Sequence, residues 1–410
     1  MMEPPRKRRD GEAQLQSLTP LRGIAALWVV LYHYAVIYFP SLHPQTYTQL
    51  LGKGYLAVDL FFILSGFVLA HVYREAFTQE VSGNYLKFLF ARIARLYPLH
   101  LFVLALFLTT ALASRAVEYA SSGMVAPIPW EGARSLSALV ANLFMLQGLK
   151  ASELSWNYPA WSISVEFMAY LAFPFLVPLI FRASVRTKLA LAIALLTALA
   201  WLAFWTKDDF NQWDGPRTLL RCLPEFTAGM LLYDLYIRRS WPLCLQRDWL
   251  FLLILGSLLL LLHIGAADLL IILLFPAVVM AAVSNTGYVA GLANTRPLVW
   301  LGNISYSLYL IHGFVQFLMT KLLSAVPLAS PANMSPITAL ALTGAMLCAS
   351  LLLATATYFA VERVGRRYLR NVFGVPTQST ARQLRATEYT DEKMDHERRP
   401  GTVQDRNLAT

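Results

Sequence analysis

The chain has 410 residues, 57% of them hydrophobic and only 14% charged, with a mean hydropathy of +0.50. Soluble domains run near half apolar and a quarter charged, so this composition excludes an ordinary soluble enzyme. A net charge of +10 and a pI near 9.5 would suit nucleic acid in a soluble chain, but in a membrane chain excess Lys and Arg reports topology and contact with anionic membrane lipid, so no nucleic-acid partner is expected.

In chain order, residues 1–14 form a basic segment containing Arg6, Lys7, Arg8 and Arg9, and no small-residue cleavage site closes the apolar run behind it. Apolar runs follow near 22–40, 54–73, 96–114, 161–181, 189–206, 217–237, 249–263, 267–284, 301–323 and 337–361. Runs of this length in lipid must satisfy their backbone internally, which predicts an all-α polytopic bundle of about ten transmembrane helices within one membrane domain, 15–370. A cytoplasmic N-terminus places Arg74, Lys87, Arg92, Arg95, Arg182, Arg186, Lys188, Arg238, Arg239, Arg247, Arg363, Arg366, Arg367 and Arg370 on the cytoplasmic side. Far fewer basic residues, chiefly Lys53, Arg115, Arg134, Lys150 and Lys207, fall opposite, so the positive-inside rule puts both termini in the cytoplasm. The stretch 135–149 is apolar but short and reads as an interfacial or re-entrant element; an eleventh span there would invert everything after it. Residues 371–410 are polar, mixed in charge and expected to be a disordered cytoplasmic tail.

A charge in mid-span costs about 2.5–3.5 kcal/mol, so each intramembrane ionisable group needs a partner, a cavity or a task. Arg22 and His33 are eleven residues apart, about 16 Å along a helix and nearly the same azimuth, which puts them on one stripe. Asp59, Glu166, Glu225 and His312 fall at a depth comparable to His33, and Ser305, Tyr309 and His312 share a helix face at i, i+4, i+7. These groups either tie helices together or build a site; for His312 alone both readings stand. Arg92 and Arg95, three apart, are topology anchors or a paired guanidinium grip for phosphate. His71, His100 and His263 have no such companions and read as packing residues. Three scattered cysteines, Cys222, Cys244 and Cys348, lack a C-x-x-C spacing, and no metal site is expected. No Walker A, Rossmann, H-E-x-x-H or G-x-S-x-G pattern occurs.

Five blocks in order, LRGIAALWVVLYH (Leu21 to His33), GYLAVDLFFILSGF (Gly54 to Phe67), RIARLYP (Arg92 to Pro98), WSISVEF (Trp161 to Phe167) and GNISYSLYLIH (Gly302 to His312), precede a final helix ending FAVERVGRR. Together they resemble the membrane acyltransferase-3 family over about residues 15–370. That resemblance implies transfer of an acyl group, often acetyl, from acyl-coenzyme A on the cytoplasmic side to a hydroxyl of a glycan or other acceptor, in a bacterial cytoplasmic (inner) membrane. It matches His33 to the family's catalytic histidine, Arg22 to the arginine of its first block, Arg92 and Arg95 to its basic pair, and Glu166 to the acid of its fourth block. Some relatives carry an SGNH-type hydrolase domain, for which this chain leaves no room.

The expected division of labour has Arg92, Arg95 and Arg22 holding the cofactor's phosphates, with its arm running along the first span to His33. An imidazole of pKa about 6.5 serves as general base, with Glu166 or Asp59 orienting its other nitrogen; a transient acyl-histidine is the competing route. His312, Glu225, Ser305 and Tyr309 are candidate substrate contacts. Acceptor specificity is assigned to the loops 115–160 and 207–217, where Trp130, Trp156, Trp161 and Trp213 either stack on sugars or sit at the membrane interface. The alternative is a transporter or flippase using the His and carboxylates as a proton relay, for which the arginine pair has no use.

Overall fold

The computed structural model describes residues 17–123, 132–149, 155–207, 209–212, 215–239, 242–325 and 330–375. The basic start Arg6 to Arg9, the tail beyond residue 375, and Trp130, Lys150 and Trp213 lie outside the described residues.

No strand occurs among the described residues, and every expected apolar run is helical. Helix α1 is Leu18–Tyr32 and continues through a wider π-type turn, His33–Tyr38. It is followed by α2 (Ala57–Gln79), α3 (Ser82–Ser122), the short α4 (Leu136–Leu143), α5 (Trp161–Phe181), α6 (Val185–Trp205) and α7 (Arg217–Arg238). The second half holds α8 (Asp248–Ile264), α9 (Asp268–Ser284), α10 (Tyr288–Ala293), α11 (Arg296–Asn303), α12 (Ser305–Ser324) and α13 (Pro336–Thr357). A second π-type turn, Tyr358–Glu362, joins α13 to α14 (Arg363–Val372). Local signals set several boundaries: Ser135, Ser184 and Ser335 accept the backbone N–H three residues on, and Gly123 and Gly265 end α3 and α8 at positive φ.

Six segments, Leu18–Tyr38, Gly54–Gln79, Ser82–Ser121, Tyr158–Phe181, Val185–Trp205 and Pro336–Val372, are each long and apolar enough to cross a membrane. The pair α11 and α12 passes the same test jointly but bends by 64°, and α8 and α9 are apolar helices of 17 residues. Helix α7 is long enough at 22 residues, but Arg217, Arg221, Glu225, Asp234 and Arg238 lower its apolarity. The protein is therefore an integral membrane helical bundle. One sequence expectation changes in detail, and another holds. The third run is part of a 41-residue helix about 60 Å long, twice the hydrocarbon thickness. The 135–149 stretch holds only the eight-residue α4 and a short turn at Gln147–Leu149, too little to span, and is tied back onto α5 by Gly148 N–H to Ser164 Oγ (3.1 Å) and Ser164 Oγ to Met145 O (2.6 Å).

Two glycine pairs let backbones meet. A methyl on Gly66 would collide with the Phe226 carbonyl oxygen and one on Gly229 with that of Ile63, so α2 and α7 touch through both. Gly23 and Gly302 do the same for α1 and α11. Gly66→Ala is expected to cost at least about 1–3 kcal/mol through overpacking, read as a lower melting temperature of the detergent-purified protein; an unchanged melting temperature would contradict the close approach.

Candidate active site

A cavity of about 210 Å³ runs between α1, α2, α3, α5, α12 and α14. One end is cationic. Helical spacing sets Arg92 and Arg95 of α3 on one face, Arg22 comes from the first turns of α1, and Arg366 comes from α14, all four lining the cavity. Arg92 donates to the Tyr73 hydroxyl (2.9 Å) and lies over the Tyr73 ring, 5.2 Å from its centroid. Arg22 is within electrostatic reach of Arg95, Glu166 and Glu362, and Arg366 of Arg95, Arg92 and Glu362. Glu362 closes the second π-type turn, accepts from Ser307 Oγ (2.8 Å) and partly offsets this charge. Helix α14 reaches the site because Gly365 packs directly on the Pro98 ring of α3.

The middle of the cavity is lined by α2 and α5. Glu166 accepts hydrogen bonds from Ser65 Oγ and from Tyr170 OH (2.6 Å), and these two hydroxyls lie 3.2 Å apart. At the far end Ser162 Oγ and Tyr309 OH are bonded at 2.7 Å, with Phe61 edge-on to the Tyr309 ring at 6.0 Å. Ser305 also lines the wall.

His33 and His312 do not line the cavity but stand just past this end. The Tyr309 ring is 5.9 Å from His312, the two imidazoles are 5.1 Å apart with planes 37° to each other, and Tyr158 packs on both, at 4.9 Å from His33 and 5.7 Å from His312. His33 is partly accessible, and its Nδ1 lies 2.9 Å from the Val29 carbonyl. A carbonyl only accepts, so Nδ1 carries the proton and Nε2 presents a lone pair. This corrects the expectation that Glu166 or Asp59 orients His33: the orienting group is the backbone one turn back.

Asp59 and Glu225 are also placed elsewhere than expected. The Asp59 carboxylate is held bidentately by Arg221 Nε (2.5 Å) and Nη2, and Arg221 Nη1 donates to Phe210 O (2.7 Å). Glu225 sits beside this pair, and neither carboxylate lines the cavity. Both thus stand apart from the cavity: Asp59 is occupied by a guanidinium, and Glu225 is enclosed with it. His100 is a packing residue, its Nε2 on Asn142 O (2.9 Å). Arg221, Arg366, Glu362, Ser65, Ser162, Tyr158 and Tyr170 were given no site role from sequence, where Arg366 stood as a cytoplasmic basic residue; Ser65 and Ser162 lie inside the quoted blocks, and Arg366 and Glu362 inside FAVERVGRR. Among the described residues no cluster of His, Cys, Asp and Glu is arranged to hold a metal.

Fold and site define a polytopic membrane protein whose arginine-mouthed cavity ends beside a histidine pair. Residues 15–355 match the acyltransferase domain family, to which the chain belongs. It is 34% identical over 201 residues to acyltransferase MdmB of Streptomyces mycarofaciens, covering 48% of this chain and 47% of that protein. It is 43% identical over 90 residues to protein 2 in the picA locus of Rhizobium radiobacter (22% and 41%), and 24% over 335 residues to O-acetyltransferase OatA of Staphylococcus aureus (73% and 50%). The matches thus span about half the length of these relatives or less. No solved structure matches.

Proposed function

We propose that the protein is a membrane O-acyltransferase that moves an acyl group, acetyl in the first instance, from acyl-coenzyme A to a hydroxyl of a glycan or other extracytoplasmic acceptor. The observation that carries this reading is one cavity lined by four arginines and by Tyr309, whose ring is 5.9 Å from that of His312 in the histidine pair. Guanidinium forks at the mouth suit a ligand with several phosphates, and the apolar wall of α2 (Val58, Phe62, Leu64, Val68) suits a thin uncharged arm. The printed names of MdmB and OatA, an acyltransferase and an O-acetyltransferase, support the same class. The convergence of arginines from α1, α3 and α14 at one mouth supports a common cytoplasmic side for those ends, and hence cofactor entry from the cytoplasm of a bacterial inner membrane.

In this reading His33 Nε2 takes the proton of the acceptor hydroxyl while that oxygen attacks the thioester carbon. Ser65, Glu166 and Tyr170 line the path of the arm. The test is thiol release from acetyl-coenzyme A by purified protein, with mass spectrometry of surface glycans from cells with and without it. Thiol release together with a glycan mass shift is expected; transport of a glycan without thiol release would overturn the reading.

Arg366→Ala is expected to raise the KM for acetyl-coenzyme A about tenfold to a hundredfold, the value of a lost charge-assisted hydrogen bond of about 1.5–3 kcal/mol. Arg366→Lys should recover only part of that, because an ammonium cannot reproduce the planar fork. An unchanged KM would remove Arg366 from the cofactor mouth.

A further inference from the structure

His312 is 0% exposed, and neither of its ring nitrogens has a hydrogen bond of normal geometry. Buried polar atoms are nearly always paired, so an orphaned pair on one side chain calls for a reason. The backbone around it is not loose. Tyr34 OH donates to the His312 carbonyl at 2.9 Å, and Asn157 Nδ2 to the neighbouring Leu310 carbonyl at 3.1 Å. The next residue, Gly313, leaves no room for a side chain against Asn157 and Pro159. The ring is thus held in place while its polar edge is left uncommitted.

Its neighbours cannot supply a hydrogen-bond donor. Four aromatic rings surround it: His33, Tyr34, Tyr158 and Tyr309. The Tyr34 hydroxyl is spent on the His312 carbonyl, that of Tyr158 on Gln316 Oε1 (2.9 Å), and that of Tyr309 is engaged with Ser162. His33 Nδ1–H is committed to Val29. Among the described residues no carboxylate contacts either imidazole to hold a positive charge there, and a neutral imidazole carries one N–H and one lone pair. The Leu308 and Tyr309 carbonyls of its own helix lie near the ring, but neither makes a hydrogen bond of normal geometry with it, so the His312 N–H is held only weakly beside a base whose own lone pair is free.

We propose that His312 is a catalytic residue, the donor that stabilises the oxyanion of the acyl-transfer step, an assignment that rests on the acyltransferase reading above. The acceptor O–H gives its proton to His33 Nε2 as its oxygen bonds to the thioester carbon. The carbonyl π pair moves onto the acyl oxygen, which accepts the N–H of His312. Collapse re-forms the carbonyl and breaks the C–S bond, and the departing thiolate takes the proton back from His33. A donor already fixed before the charge develops needs no reorganisation, and losing one such donor typically lowers turnover about 10²–10³-fold.

The test compares wild type, His312→Phe, His312→Asn and His312→Gln, each purified in detergent and checked for monodispersity, for thiol release from acetyl-coenzyme A and for acetyl-coenzyme A affinity by calorimetry. Expected is a 10²–10³-fold lower kcat for His312→Phe at an affinity within about twofold of wild type. At least one amide variant should recover tenfold or more, since an amide N–H donates but cannot relay a proton. Wild-type turnover in His312→Phe, or amide variants no better than Phe, would overturn the assignment and leave the acyltransferase reading standing. No thiol release by wild type from acetyl-coenzyme A would instead remove that reading and this assignment with it.

Discussion

Replacing His33 by Ala is expected to lower acyl transfer about 10²–10⁴-fold, the usual contribution of a positioned proton transfer, while the protein still inserts and purifies as a monodisperse species. The physical reason is that His33 is partly accessible beside the cavity's end and, with Nδ1 on the Val29 carbonyl, presents the Nε2 lone pair as a base. Glu166 is engaged by Ser65 and Tyr170, and Asp59 by Arg221. The measurement is thiol release from acetyl-coenzyme A alongside the mass of the acylated product. Near-normal product from well-folded His33→Ala protein would show that the base lies elsewhere.

The second large effect is on folding. Arg221 and Asp59 are 2% and 0% exposed, and breaking such a pair by removing one partner typically costs about 3–5 kcal/mol, because the other charge is left buried alone. Arg221→Met should be worse than an ordinary case, since Glu225 beside the pair then adds a second carboxylate without a cation. Loss of the monodisperse peak on size-exclusion chromatography is expected for Arg221→Met and for Asp59→Leu singly. The double replacement Asp59→Leu with Arg221→Met should regain much of it, because buried ion pairs are often no better than apolar side chains of similar volume. A single Arg221→Met that is as monodisperse and as heat-stable as wild type would show that the pair contributes little.

Much of the bundle was legible in the apolar runs, because every backbone group in lipid must bond internally and a helix is the simplest way to do it. Helical spacing separates Arg22, which lines the cavity's mouth, from His33, which stands past its far end and outside the lining. Arg92, Arg95, Glu166, Ser305 and Tyr309 share the cavity for the same reason, fixed helical spacing. What could not be read was pairing across long sequence separation. Asp59 looked like an orphan charge because its partner lies 162 residues away in α7. Arg366 looked like one more positive-inside anchor, since it is packing on α3, through Gly365 against Pro98 and Phe373 against Phe90, that brings α14 to the mouth. The partner of His33 is not legible in the side-chain pattern, because the acceptor is a main-chain carbonyl that every residue has.

That last contact bears on how such a protein can change over time. The choice of which imidazole nitrogen carries the proton is made by the path of α1 itself, through the Val29 carbonyl, and not by any second side chain. Neighbouring side chains can therefore drift to suit new acceptors without disturbing the tautomer, and only an alteration that bends the helix between residues 29 and 33 would reset it.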